Sequence, residues 1–152
     1  MKPLQPDTLI RNPNGVPIVA SVLVNCHARR LWNMVGQFAG FDVFIPALSH
    51  IETIGNGVGA LRTKVFRDGN HVVEQLNSRD EHAMHMTWTT IYNTLGVARL
   101  WAAISVDALG DECSRVTWTI IAEPVDMAQV GFEQFVQGFA NSALDNVRRL
   151  LG

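Results

Sequence analysis

The spacing of apolar and polar positions changes character three times along the chain. Val16 to Val24 is rich in β-branched residues and predicts a strand. From Ala28 to Val35, Leu31, Met34 and Val35 share one helical face with Trp32 beside them, and Asn25 stands where a helix cap is expected. Phe38 to Pro46 is aromatic and broken by Gly40 and Pro46, which fits a short second helix or a tight loop. From Leu48 the period becomes two. Six segments follow: Leu48–Ile54, Ala60–Arg67, Val72–Arg79, Ala83–Tyr92, Val97–Leu109 and Ser114–Ala122. The breaks include Gly55-Asn56-Gly57, Asp68-Gly69-Asn70, Asn93-Thr94-Leu95-Gly96 and Gly110-Asp111-Glu112, all turn signals that join antiparallel strands by hairpins. Pro124 ends the last strand. Asp126 is the expected cap of a long helix reaching about Leu150, with Phe132, Phe135, Phe139, Ala143 and Val147 on one stripe.

The order is strand, short helices, six strands, long helix. It predicts an α+β fold of about seven strands in which sheet and final helix each bury their apolar face against the other. One domain is expected over 1–152, with residues 1–15, carrying Pro3, Pro6 and Pro13, as an irregular lead-in. Hydrophobic residues make up 47% of the chain and charged ones 17%, which favours a large buried surface. The formal net charge is −2 without any basic run, so nucleic acid is not an expected partner. No segment has the ~20 apolar residues of a membrane span. The first residues lack the apolar core of a secretory signal, which makes the cytoplasm the expected compartment. Cys26 and Cys113 have no metal-ligand spacing and read as free thiols.

Several short motifs occur in an informative order. They are Leu31-Trp32 with Phe38 and Pro46, then Gly57-Val58-Gly59-Ala60-Leu61-Arg62, then Val73-Glu74-Gln75-Leu76 with Asp80, and lastly Val116-Thr117-Trp118 before Pro124. Together they resemble the START and Bet v 1-like superfamily, which includes polyketide cyclase/dehydrase and lipid-transport-type domains. The resemblance spans nearly the whole chain. It implies a helix-grip fold, a curved antiparallel sheet around the C-terminal helix with a cavity between them. It also implies that the glutamate of the Val73–Leu76 strand points into that cavity. The plant hormone receptors of this plan carry a histidine-bearing gate that Asn93-Thr94-Leu95-Gly96 lacks.

Arg62, Lys64 and Glu74 are the candidate chemical group. A three-residue Asp68-Gly69-Asn70 turn sets Lys64 opposite Glu74 and Phe66 opposite Val72, whereas a two-residue turn breaks that pairing. Facing inward, a carboxylate and two cations can neutralise one another, orient a ligand or move a proton. Facing outward, Lys64 and Glu74 make an ordinary cross-strand pair of roughly 0.2–1 kcal/mol. The apolar walls expected around a ligand are Phe66, Met84, Met86, Trp88, Thr90, Tyr92, Leu100, Ala102, Trp118, Ile120, Phe132, Phe135 and Phe139. A solid core is the competing reading of the same residues.

No metal or other cofactor is expected. His82 and His85 fall on opposite strand faces, and His27, His50 and His71 share no ligand spacing with them. His50 and Glu52 form either an acid–base pair or, more simply, an exposed polar face. Gln134, Gln137 and Asn141 are expected on the solvated flank of the last helix. No nucleophile motif or phosphate loop occurs. Three functions fit. The first is a carrier or binding protein for a small hydrophobic molecule of aromatic, polyketide-like or lipid-like type. The second is a cyclase, dehydratase or isomerase acting on such a molecule with Glu74 as acid or base. The third is a protein-interaction module.

Overall fold

The computed structural model describes residues 16–124 and 129–152. The expected lead-in over 1–15 and the Asp126 cap lie outside the described residues. β1 (Ile18–Val24) leads to α1 (Ala28–Val35) and a 3₁₀ turn at Phe41–Val43. Then come β2 (Leu48–Ile54), β3 (Leu61–Phe66), β4 (His71–Asp80), β5 (His85–Asn93), β6 (Val97–Gly110) and β7 (Cys113–Pro124), followed by α2 (Gln129–Leu151). The seven strands form one antiparallel sheet in the order β1-β7-β6-β5-β4-β3-β2. This is the helix-grip architecture: α2 packs across the face on which Ala20, Val24, Leu76, Trp88, Ile104 and Trp118 are buried.

Local chemistry explains the departures from the sequence expectation. The cap of α1 is His27 rather than Asn25, because the His27 ring accepts the Arg29 N–H at 3.1 Å. The second short helix is only the 3₁₀ turn, closed by Phe44 N–H on the Phe41 carbonyl. The buried stripe of α2 runs through Phe132, Val136, Ala140, Ala143, Leu144, Val147 and Leu151. Phe135, expected on it, is 59% exposed.

The β3–β4 turn corrects the predicted register. Phe66 N–H donates to the Asn70 carbonyl, so the loop is Arg67-Asp68-Gly69, with Gly69 at φ 94°. The loop keeps its expected length but starts one residue earlier, which moves each partner by two positions. Arg62 therefore faces Glu74, and Lys64 faces Val72. A shift of two preserves which face each side chain occupies.

α1 is tied to the sheet through Trp32. Its indole N–H donates to Glu81 at 3.1 Å, and the Arg79 guanidinium lies 5.0 Å from its ring. Arg79 also donates to the Gly36 carbonyl at 2.9 Å and pairs with Glu81 at 2.7 Å. Gly36 has no room for a side chain, since an added Cβ would stand 2.6 Å from the fully buried Trp32 ring. Gly36→Ala is thus expected to destabilise the protein by about 2 kcal/mol through overpacking. That corresponds to a Tm drop of roughly 4–8 °C for a domain of this size, readable by calorimetry.

Candidate functional site

Arg62 and Lys64 alternate along the inward face of β3, and Glu74 joins them from β4. All three are buried, at 0%, 5% and 2% exposure. Glu74 Oε1 accepts from Arg62 Nε at 2.8 Å and lies 3.1 Å from Lys64 Nζ. Its Oε2 accepts from the Thr90 hydroxyl at 3.3 Å. Burial pushes the Glu74 carboxyl up, but Lys64 and Arg62 together pull it further down, so its pKa ends below the usual glutamate value. Burial also lowers the pKa of both cations, an effect that Glu74 opposes.

Arg62 is boxed by rings. Its guanidinium carbon lies 4.2 Å from the centroids of Phe38 and Phe41 and 4.8 Å from that of Trp88. Each such stack is worth up to about 2 kcal/mol where water is excluded. Nη1 donates to the Phe38 carbonyl at 2.7 Å, while Nη2 has no hydrogen-bond partner. Trp118 continues the aromatic cluster, 5.9 Å from Phe41 and 6.2 Å from Trp88, and its buried indole N–H is also without a partner.

A cleft of about 510 Å³ opens between α2 and the segment before β2. Its lining includes Phe44, Ile45, Pro46, Phe135, Phe139 and Ala143, with Gln134, Ser142 and Asn146 as polar members. Phe139 connects the cleft to the interior: its ring is 6.2 Å from Phe66 and 6.2 Å from Trp118. The chain of contacts thus runs from cleft to Phe139, Trp118, Trp88 and the Arg62 cage.

The expected wall residues divide into groups. Met86, Trp88, Ala102, Trp118, Ile120 and Phe132 are buried in the core beneath α2, and Phe66, Thr90, Leu100 and Phe139 are half-buried. Met84 is not on a strand. It sits in the β4–β5 turn at φ 55°, half-buried against the core. Tyr92 points away from the interior. A bulge at Ile91, where Val73 pairs with Tyr92 but Glu74 with Thr90, reverses the alternation beyond it. Tyr92 is therefore 51% exposed and stacks on His71 at 5.5 Å. Phe135 reaches the cleft from the exposed side of α2.

His50 and Glu52 form an exposed pair at 3.4 Å. Gln137 is half-buried and donates to the Val19 carbonyl, and Gln134 lines the cleft. Among the described residues no three His, Cys, Asp or Glu side chains converge as a metal site, and no helix is long and apolar enough to cross a membrane. Phe38 and Phe41 as the cage and Phe44–Ala47 as a cleft wall do not follow from the sequence pattern. Their aromatic run is visible in it, but its direction depends on partners in β3 and α2.

Known structures share this fold. A Bacillus thuringiensis protein of uncharacterised function superposes with a TM-score of 0.82 at 17% identity, over 90% of this chain and 98% of the other. The ZhuI aromatase/cyclase of Streptomyces sp. R1128 gives 0.78 at 13% identity, over 90% and 93%. A START superfamily protein of Mycobacterium smegmatis gives 0.78 at 8% identity, over 89% and 96%. No curated protein sequence matches the chain. Residues 16–152 match the family described as polyketide cyclase/dehydrase and lipid transport, a match that supports ligand binding or cyclase function in general. The match covers most of the chain and agrees with the helix-grip sheet, so the chain belongs to that family.

Proposed function

We propose that the protein binds one small hydrophobic molecule between sheet and α2, taken up through the Phe139 cleft, and acts as a carrier or binding protein. The observation that carries this reading is the buried Arg62–Glu74–Lys64 cluster walled by aromatic rings behind an apolar cleft. Two buried donors without partners, Arg62 Nη2 and Trp118 Nε1, are suited to fix the oxygens of such a molecule. Leaving them unpaired costs free energy that a ligand acceptor recovers.

Acid–base catalysis by Glu74 is the weaker reading. A general base works best with a pKa near the working pH, and the two cations hold this carboxyl low. A cyclase-type activity fits better through shape and electrostatics. The cavity would hold one conformer, and the Arg62 and Trp118 donors would stabilise a developing enolate. The similarity to an aromatase/cyclase is consistent with this second reading.

Native mass spectrometry of the freshly purified protein tests binding, with one retained hydrophobic molecule per chain as the expected result. Ser142, on the exposed side of α2, lines the cleft. Ser142→Trp is expected to weaken hydrophobic probe binding by about tenfold or more with the Tm unchanged. Equal probe binding by Ser142→Trp and wild type would refute the cleft as the route.

The ionised Glu74 also sets a pH dependence. Its folded pKa lies below the unfolded value of about 4.3. Its stabilisation is therefore complete above that value and is lost as pH falls through the folded pKa. Glu74→Gln leaves two buried cations without a counter-charge, an expected loss of about 3–5 kcal/mol at neutral pH. In urea unfolding series this deficit should shrink as the pH is lowered. A constant deficit across the acid range would show that Glu74 is not the titrating anchor.

A further inference from the structure

The buried cluster is electrically unbalanced. It holds two cations and one carboxylate, all within hydrogen-bonding or ion-pair distance of Glu74 Oε1. Among the described residues, the ion pairs within the cluster are Arg62–Glu74 and Lys64–Glu74, while Arg62 and Lys64 repel one another. Among the described residues, two cations thus share one carboxylate in a buried cluster whose Arg62 lies among the Phe38, Phe41 and Trp88 rings, where water offers little compensation. The same guanidinium carries a buried N–H group with no acceptor. Lys64 stands two residues from Phe66, whose ring meets Phe139 at the cleft.

We propose that the molecule received here is an amphipathic monoanion, an aromatic or alicyclic body bearing one acidic oxygen group such as a carboxylate, phenolate or enolate, whose charge is matched by the Lys64–Arg62 pair. This deepens the binding reading above and rests on it. A single negative charge makes the cluster neutral, whereas a neutral ligand leaves the excess cation buried and a dianion overshoots. The apolar lining of the cleft excludes a bare inorganic ion as the preferred guest, because such an ion would give up its hydration and leave the aromatic walls unfilled. Glu74 then has a positioning role. It holds both cations on one oxygen and leaves the free guanidinium N–H for the ligand.

The test uses two fluorescent probes with the same body, 8-anilinonaphthalene-1-sulfonate and the uncharged N-phenyl-1-naphthylamine. They are titrated in about 0.15 M salt to screen surface charge. The wild-type protein is expected to bind the sulfonate about tenfold more tightly than the neutral probe. Lys64→Met removes the excess charge at similar side-chain length. It is expected to weaken the sulfonate about tenfold and to leave the neutral probe within about twofold. Equal or tighter wild-type binding of the neutral probe overturns the anion inference while leaving the hydrophobic pocket intact. Equal weakening of both probes by Lys64→Met, with the circular dichroism spectrum retained, also overturns it, since the residue would then act only through structure. Failure of both probes to bind the wild type overturns the pocket reading and the inference with it. If Lys64→Met does not fold, the wild-type preference decides between the outcomes.

Discussion

The burial of Arg62, Lys64 and Glu74 is the constraint around which the rest of the molecule is arranged. Moving a charge out of water costs several kcal/mol even after relaxation, and attraction between the partners recovers it only with good geometry and satisfied donors. The fold meets this demand from three directions. β4 supplies the carboxylate directly opposite Arg62, β5 supplies the Thr90 hydroxyl, and the segment after α1 supplies the Phe38 carbonyl and two rings. The 3₁₀ turn at Phe41–Val43 therefore does more than connect α1 to β2. It places Phe41 against Arg62, Trp88 and Trp118 at once. The Trp32–Arg79–Glu81 clamp secures α1 to the sheet just upstream of that segment.

Much of this was legible in the sequence because strand parity is robust. The β3–β4 turn starts one residue earlier than the turn signal predicts, which displaces partners by two and keeps Arg62, Lys64 and Glu74 on one face. The bulge at Ile91 is the opposite case. One extra residue reverses the face of everything beyond it, so Met86, Trp88 and Thr90 remain on the inner side and Tyr92 leaves it. Nothing in the alternation of β5 announces the bulge, because Tyr92 continues the pattern by residue type. The cage around Arg62 was illegible for another reason. Phe38 and Phe41 lie more than twenty residues away in sequence, and their aromatic character fits equally well with packing against one another.

The α2 stripe shows how a correct element can still mislead about its face. Phe132, Phe135 and Phe139 have helical spacing, and their size invites a single buried row. The buried row instead passes through Val136 and Ala140, whose small side chains let α2 approach the sheet. Phe135 and Phe139 are left to one side, where they wall the cleft. Phe44, Ile45 and Ala143 belong both to the buried core and to the cleft wall, whereas Phe135 serves the opening from its exposed side. Structures sharing as little as 8% identity keep the same plan, because layered packing constrains apolar pattern more than residue identity.

The polar corner, by contrast, is not what the fold requires. A hydrophobic replacement of similar volume often packs at no loss of stability, and sometimes with a gain. Retaining two cations, one carboxylate and an unpaired guanidinium N–H beneath apolar walls is therefore difficult to account for as scaffolding. The unequal count matters most. A structural ion pair would close with equal numbers and no spare donor, whereas among the described residues this cluster sets two cations against one carboxylate and leaves Arg62 Nη2 without an acceptor. An anionic oxygen supplies both charge and acceptor with a single group.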